Sequence, residues 1–265
     1  MHSLLIKSIR IYFSIFVFFF SSQAISEPVS QKINITLGTF SYSPLMYERP
    51  DLQKRQGVGV DVIKRAFHKS NKFKLDVVIY PIKRSMMLFK KGETDLFLGS
   101  RLDLPEIKNE IIAMKLFTLK SVLFCFPEHC DIANQQGNPK KLGIIASIPG
   151  SPVNEQLRSS GNKVVLLHSL SSSFKFLANK RADFVAAINF SGIHTLQSMG
   201  EAEKKDIEHT SFSLLEIPYD LLINKNHPHS KEISDLIRST IESANLQTNS
   251  EQLVEKYLSG EILFD

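Results

Sequence analysis

The sequence predicts an α/β protein built from two doubly wound lobes, and three observations lead to that prediction. Candidate strands and helices alternate over residues 33–100 and again over 141–189, with short connections between them. The two units share one pattern, in which an apolar helix end and a polar turn precede an aspartate that opens a strand: Asp95 in the first unit and Asp183 in the second. With 265 residues, the chain is also long enough to bury the cores of two lobes.

The first unit follows the order strand, helix, strand, helix, strand. Alternating or β-branched apolar residues predict strands at 33–40, 74–81 and 95–100. Apolar residues at helical spacing predict helices at 59–70 and 83–93. Asp61 is placed to cap the first of these helices, and Gly92 can end the second.

The second unit repeats this order. Its strands are predicted at 141–147, 163–168 and 182–189, and its helices at 151–161 and 171–181. Ser151 can cap the helix at 151–161, because Pro152 then occupies the first helical position. A last strand is predicted at 219–225, followed by helices at 230–244 and 249–258.

The first 26 residues are typical of a cleaved secretory signal. Lys7 and Arg10 precede an apolar run of about ten residues, whereas a spanning helix needs roughly twenty. Small residues place the cleavage after Ala24 or Ser26, and an uncleaved membrane anchor is the alternative. We therefore expect a soluble, periplasmic mature protein.

The charge balance argues against nucleic acid as a partner. Removal of residues 1–26 takes away two cations and no acid, which lowers the formal charge from +5 to +3 without leaving a basic run. No nucleophile elbow, metal triad or phosphate loop occurs in the sequence. We expect a monomer without catalytic residues, cofactor or metal.

Two cysteines lie close together in the segment LFCFPEHC. In an oxidising compartment, a disulfide between Cys125 and Cys130 is the expected state. His129 lies between them, so a metal site is the alternative, although this spacing matches no standard zinc pattern.

Five segments, in this order, resemble motifs of the family 3 periplasmic solute-binding proteins, which include the polar amino-acid receptors of ABC importers: FSYSPLMYE, GVGVDVIKRAF, GETDLFLGS, IPGSPVNEQL and RADFVAAIN. The resemblance implies a periplasmic binding protein-like fold of type II, with two lobes joined by a hinge and a ligand in the cleft between them. It places lobe 1 at 27–124 plus 217–265, and lobe 2 at 125–216.

The sequence departs from this family at both ends of the amino-acid site. Amino-acid receptors of the family carry Thr-x-x-Arg after the first cleft strand, and that arginine binds the α-carboxylate; here the corresponding residue is Ile107, in LPEI. In the family, an aspartate at the end of the second-lobe cleft strand pairs with the α-amino group. This chain has Ile188 or Asn189 at that position, and neither carries a charge. The resemblance therefore implies a ligand other than an ordinary α-amino acid.

The candidate ligand-binding residues lie at predicted strand and helix ends: Tyr42, Arg84, Ser100, Arg101, Ser151 and Asn189. Tyr42 stands where the family has an aromatic platform, and Ser151 begins a predicted helix whose free amides suit an anion or a carbonyl group. Arg101 follows the strand end at Gly99-Ser100 and is the natural replacement for the missing arginine, unless it pairs with Asp103 or Glu106 at the surface.

Arg84 is the other candidate cation, in the first turn of the helix that begins in PIKRSMM, where a solvated helix start is the alternative. Related receptors often show Pro-aromatic-Lys-Arg here, and this chain has Ile82 in the aromatic slot.

The predicted function is capture of a small polar ligand for an ABC importer, with an inner-membrane permease as partner. A receptor that reports to a membrane sensor is the first alternative. The second is a dehydratase-like enzyme on the same fold, for which His194 is the one base to test.

Overall fold

The strands form one mixed sheet, and its two longest strands lie side by side at the centre. The structure is a computed structural model that describes residues 31–47, 56–243 and 250–261; the predicted signal peptide, 1–26, lies outside them. The strands are β1 (Ile33–Thr39), β2 (Phe73–Ile79), β3 (Leu96–Gly99), β4 (Ile111–Cys125), β5 (Ile144–Ser147), β6 (Lys163–Leu166), β7 (Phe184–Ile188), β8 (Glu208–His209) and β9 (Leu215–Asn224).

The helices fill the connections between these strands. They are α1 (Val58–His68), α2 (Ile82–Lys90), α3 (Pro127–Gln136), α4 (Asn154–Ser159), α5 (Leu170–Ala178), α6 (Asn189–Gln197), α7 (Glu201–Lys204), α8 (Ser230–Ser243) and α9 (Ser250–Ser259). Short 3-10 helices follow β3 at Arg101–Asp103 and Pro105–Ile107. Among the described residues, no helix is both long and apolar enough to cross a bilayer.

The order across the sheet is β2-β1-β3-β9-β4-β7-β5-β6, with β8 paired to β4. We call β2-β1-β3 the first half and β7-β5-β6 the second half. Within the halves, β1 is parallel to β3, and β5 is parallel to β6 and β7. The central strands β4 and β9 are antiparallel to each other and to the neighbours on their outer sides.

The pairing of β4 with β9 joins the halves. It runs from Ile111 opposite Asn224 to Ser121 opposite Leu215, with a register shift between Lys115 and Phe117. The predicted two-lobed α/β fold is confirmed, and these two strands are the connection between its halves. The lobe boundaries at 124/125 and 216/217 stay predictions. Residues from Asn34 onward belong to one compact unit; of the other unit, residues 1–33, the structure describes 31–33.

Alternate side chains of β7 pack into two apolar clusters in the second half, and this strand is therefore apolar throughout. Val185 and Ala187 pack with Phe174 of α5, whereas Phe184 and Ala186 pack with Leu157 of α4. Helices therefore cover both faces of the second half, as the doubly wound prediction requires.

The disulfide between Cys125 and Cys130 is present and links the end of β4 to α3, with a Cα–Cα distance of 5.5 Å. Both cysteines are buried in the apolar cluster that includes Ala133 and Leu157.

Three local predictions are wrong. Helix α1 begins at Val58 after Gly57, so Asp61 lies inside its first turn and accepts a hydrogen bond from the Gln56 amide instead of capping it. Helix α4 begins only at Asn154, because the chain first turns at Ser151, whose amide donates to Ile148.

The third concerns the end of β7. This strand stops at Ile188, and Asn189, predicted as the last residue of the strand, is instead the first residue of α6, a helix that was not assigned from the sequence.

Candidate ligand-binding cleft

A cavity of about 560 Å³ lies where strands of both halves end. Phe40 and Tyr80 follow the carboxyl ends of β1 and β2, and Ile148 follows that of β5. Ile188, the last residue of β7, and Leu170, the first of α5, complete the wall from the second half. Ligands of open α/β sheets bind in crevices at strand carboxyl ends, so this cavity is the candidate cleft.

The walls of this cavity are aromatic and aliphatic. The first half contributes Phe40, Tyr42, Ile79, Tyr80, Pro81 and Ile82, and the second half contributes Ile148, Pro149, Pro152, Leu170, Ala187 and Ile188. Ser41 and Ser151 add hydroxyl groups. Within the described part of the chain, no residue that lines the cavity carries a charge at neutral pH.

Tyr42 and Ser151, two of the predicted residues, line this cavity. Tyr42 sits in a tight turn, in which its amide donates to the Met46 carbonyl and its carbonyl accepts from the Met46 amide, both at 2.9 Å. Its hydroxyl interacts with the side chain of Ser191 in α6. Burial raises the pKa of Tyr42 to about 12, and the Ser191 hydrogen bond offsets part of that rise.

The same turn is tied to α6 by further contacts, which we call the interlobe bridge. The Ser191 hydroxyl donates to the Ser43 carbonyl at 2.7 Å, and Ser43 Oγ lies 2.9 Å from His194 Nδ1. The rings of Tyr47 and His194 are 6.0 Å apart. One edge of the cleft is therefore held by direct contacts between a first-half loop and a second-half helix, a role that no sequence motif indicated.

Arg101 has a different partner from those the sequence suggested. Its Nε and Nη2 atoms donate to the Asp220 carboxylate at 2.8 and 2.7 Å, and its backbone amide donates to the same group at 3.2 Å. Asp220 is fully buried, whereas the Arg101 side chain is 42% exposed and is not among the residues that line the cavity. Glu106, one of the expected partners, pairs with Lys90 instead.

Sequence reasoning missed Asp220, although a signal was present. It is the single acid within the otherwise apolar run YDLLI, and an acid inside a buried strand requires a cationic partner.

The remaining candidates lie away from the walls. Ser100 is buried, and its hydroxyl accepts from the Leu102 amide at 3.2 Å to cap the 3-10 helix at Arg101–Asp103. Arg84 is exposed, with its guanidinium 5.3 Å from the centroid of the Tyr80 ring.

Asn189 lines a second cavity, of about 600 Å³, together with Lys120 and Glu216. Its buried Oδ1 atom has no hydrogen-bond partner among the described residues.

The two positions at which the sequence departs from amino-acid receptors are apolar in the structure too. Ile107, at the expected arginine position, packs against the core cluster that contains Phe89 and Phe97. Ile188, one of the two residues at the aspartate position, is a wall of the cavity. Among the described residues, no three histidine, cysteine or acidic side chains are placed to hold a metal ion together.

The fold is similar to that of solved receptor structures. No protein-family model matches the chain, and no curated protein matches its sequence. The ligand-binding core of GluR0 in complex with L-glutamate is 17% identical, with a TM-score of 0.65 over 86% of this chain and 99% of that one. The unliganded, open L-cystine solute receptor of Neisseria gonorrhoeae is 18% identical, with a TM-score of 0.61 over 86% and 94%.

An ancestral amino-acid-binding protein, described as a precursor of cyclohexadienyl dehydratase, is also similar. It is 14% identical, with a TM-score of 0.57 over 84% of this chain and 94% of that one. The resemblance in sequence motifs is thus matched by a resemblance in fold. The chain has the two-lobed, periplasmic binding protein-like α/β fold of these receptors.

Proposed function

We propose that this protein is an exported solute receptor that captures a small molecule between its two lobes and releases it unchanged to the permease of an ABC importer. The observation that carries the proposal is the position of the cavity. Its walls come from strand ends of both halves, so one ligand contacts both lobes at once.

A ligand held in this way favours the closed arrangement, because only that arrangement supplies both walls. The free energy of this shift toward the closed state is set by the difference between the ligand's binding free energies for the closed and open states. The paired strands β4 and β9 are the connection about which the halves would close.

The walls support binding without turnover. Their described side chains are aromatic, aliphatic, prolyl and seryl, and these groups hold and orient a ligand. A dehydratase-like reaction would use a carboxylate or an imidazole within reach of the substrate. His194 belongs to the interlobe bridge, where its Nδ1 atom contacts Ser43.

The proposed ligand is not a standard α-amino acid. Ile107 packs against an apolar core cluster, and Ile188 is an apolar wall of the cavity, so neither provides a charge for a zwitterionic head group. Both carboxylate oxygens of Asp220 accept hydrogen bonds from Arg101. The guanidinium that was expected to bind a ligand carboxylate is therefore already paired.

The test is a thermal-shift screen of the mature protein against organic acids, amino acids, amines, sugars, short peptides and neutral aromatic solutes. A ligand at a hundredfold excess over its Kd adds about 2.7 kcal/mol to the free energy of unfolding. Each hit is then followed by small-angle X-ray scattering, for closure, and by mass spectrometry of the solute. Stabilisation with a smaller radius of gyration and an unchanged solute is expected. Conversion of the solute, or binding without compaction, would contradict the proposal.

A further inference from the structure

We infer that the ligand of the cleft is an uncharged molecule with an aromatic ring as its body and hydroxyl or carbonyl groups as its polar part. This inference rests on the proposed function and deepens it, since it names the chemical class that the receptor takes.

The shape and composition of the walls come first. Three aromatic side chains of the first half, Phe40, Tyr42 and Tyr80, face a second-half wall that includes Ile148 and Leu170. Aromatic rings pack well against one another at tilted or offset angles and against aliphatic groups. A cavity of about 560 Å³ is several times the roughly 150 Å³ that encloses a benzene molecule, so a substituted or fused ring fits.

Three charged side chains of the described first half have contacts of their own and are not among the residues that line the cavity. Arg101 is committed to the buried carboxylate of Asp220 through two side-chain donors and its backbone amide. Arg84 lies in solvent over the ring of Tyr80, and Asp61 is held in α1 by the Gln56 amide and the Tyr257 hydroxyl. A charged group moved into apolar walls loses its hydration and needs a charged partner to replace it.

The polar groups of the walls suit a neutral ligand. Ser41, Ser151 and Tyr80 contribute hydroxyl groups, each of which can both donate and accept a hydrogen bond. Groups of this kind match alcohols, phenols and carbonyl compounds without a net charge. Tyr42 is among the residues that line the cavity, and its hydroxyl interacts with Ser191, so we expect its ring to form the wall.

The experiment compares four probes that share a phenyl ring and differ in charge: 2-phenylethanol, 2-phenylethylammonium, phenylacetate and L-phenylalanine. Titration calorimetry of the mature protein gives the affinity of each, and small-angle X-ray scattering reports closure. We expect 2-phenylethanol to bind about tenfold or more tighter than each charged partner.

A matched pair of variants assigns that binding to this cavity. Ile82 and Met87 both lie in α2 and are 46% and 44% exposed, but only Ile82 is among the lining residues. Ile82→Asp should weaken 2-phenylethanol about tenfold and strengthen 2-phenylethylammonium about threefold, because it places an acid at the wall. Met87→Asp should leave both affinities unchanged. Equal responses of the two variants would overturn the assignment.

The outcomes separate this inference from the proposed function. Tightest binding of a charged or zwitterionic probe, accompanied by closure, overturns the neutral-ligand inference and leaves the receptor function standing. Failure of all four phenyl probes also overturns the inference, while the broader solute screen decides the receptor function independently. Chemical conversion of a bound probe would remove the receptor function itself.

Discussion

The guanidinium of Arg101 forks onto the carboxylate of Asp220, with donor–acceptor distances of 2.7 and 2.8 Å. Asp220 lies in β9 directly opposite Gly99 of β3 and Lys115 of β4. The ion pair therefore fastens the segment after β3 to the central strand that joins the two halves. Its first consequence concerns stability.

Arg101→Ala should lower the free energy of unfolding by about 2–4 kcal/mol, because it leaves the fully buried Asp220 carboxylate without its cation. This loss is smaller than the loss expected for breaking a fully buried ion pair. Arg101 is 42% exposed, so water reaches its side of the pair. Urea unfolding measures the change.

The double variant Arg101→Ala/Asp220→Ala separates pairing from general disruption. It should be more stable than the sum of the two single losses predicts, since the unpaired carboxylate is gone. A change below about 0.5 kcal/mol for Arg101→Ala would show that the pair is only a surface contact.

Alkaline unfolding should report on Tyr42. Its pKa is raised to about 12 in the folded protein, from 10.0 ordinarily, so the folded state keeps a proton that the unfolded chain releases above pH 10. The free energy of unfolding should therefore be independent of this group below pH 10 and fall between pH 10 and 12, by up to about 2 kcal/mol.

Tyr42→Phe removes that dependence. The variant should be about 1 kcal/mol less stable than wild type at pH 8, because it lacks the hydroxyl that interacts with Ser191, and the order should reverse before pH 12, because wild type alone loses up to about 2 kcal/mol above pH 10. Urea unfolding at several pH values measures both effects. Parallel pH profiles for the two proteins would contradict the burial of this hydroxyl.

Gly192 of α6 is a packing position. A Cβ atom there would meet Cζ and Cε2 of Phe124, a buried ring that packs edge-on against Phe174 at a centroid distance of 5.2 Å. Gly192→Ala should lower the free energy of unfolding by about 1–3 kcal/mol, although alanine is the better helix former by about 1 kcal/mol. Thermal unfolding checks this loss. Gly200→Ala, where nothing lies within 4 Å, is the control and should cost less than about 1 kcal/mol.

The disulfide should protect both cysteines from thiol reagents. Unfolded but unreduced protein should remain unlabelled, and reduction should expose two thiols, since Cys125 and Cys130 are bonded to each other. The double variant Cys125→Ala/Cys130→Ala should lose about 2 kcal/mol, the entropy of closing so short a loop in the unfolded chain. Full labelling of unreduced protein would contradict the bond.

Much of the fold was predictable because the periodicity of single elements is a local property. The strands around Val77 and Val185 and the helix around Phe67 appear where their apolar spacing placed them. The strand β4, in contrast, was not assigned from sequence. Its 15 residues are mostly buried on both faces, so the alternation that marks a half-exposed strand is lost.

The cleft was predictable only in part, for a similar reason. Tyr42 and Ser151 follow strand ends and do line the cavity, since the ends of strands are readable along the chain. The partner of Arg101 was not readable, because Asp220 is distant in sequence and adjacent only through the pairing of β3 with β9. The bridge between Ser43 and Ser191 depends on the same kind of long-range neighbourhood.

The place of β9 between β3 and β4 sets an order on folding. The strands of the second half and the helices between them come from one continuous stretch, residues 144–188, so their contacts can form as soon as that stretch is available. The first half lacks the neighbour of β3 until residues 215–224 have followed, which requires closure of a loop of more than a hundred residues. An amino-terminal fragment that ends before residue 215 therefore cannot complete the sheet of the first half, because β3 pairs with β9.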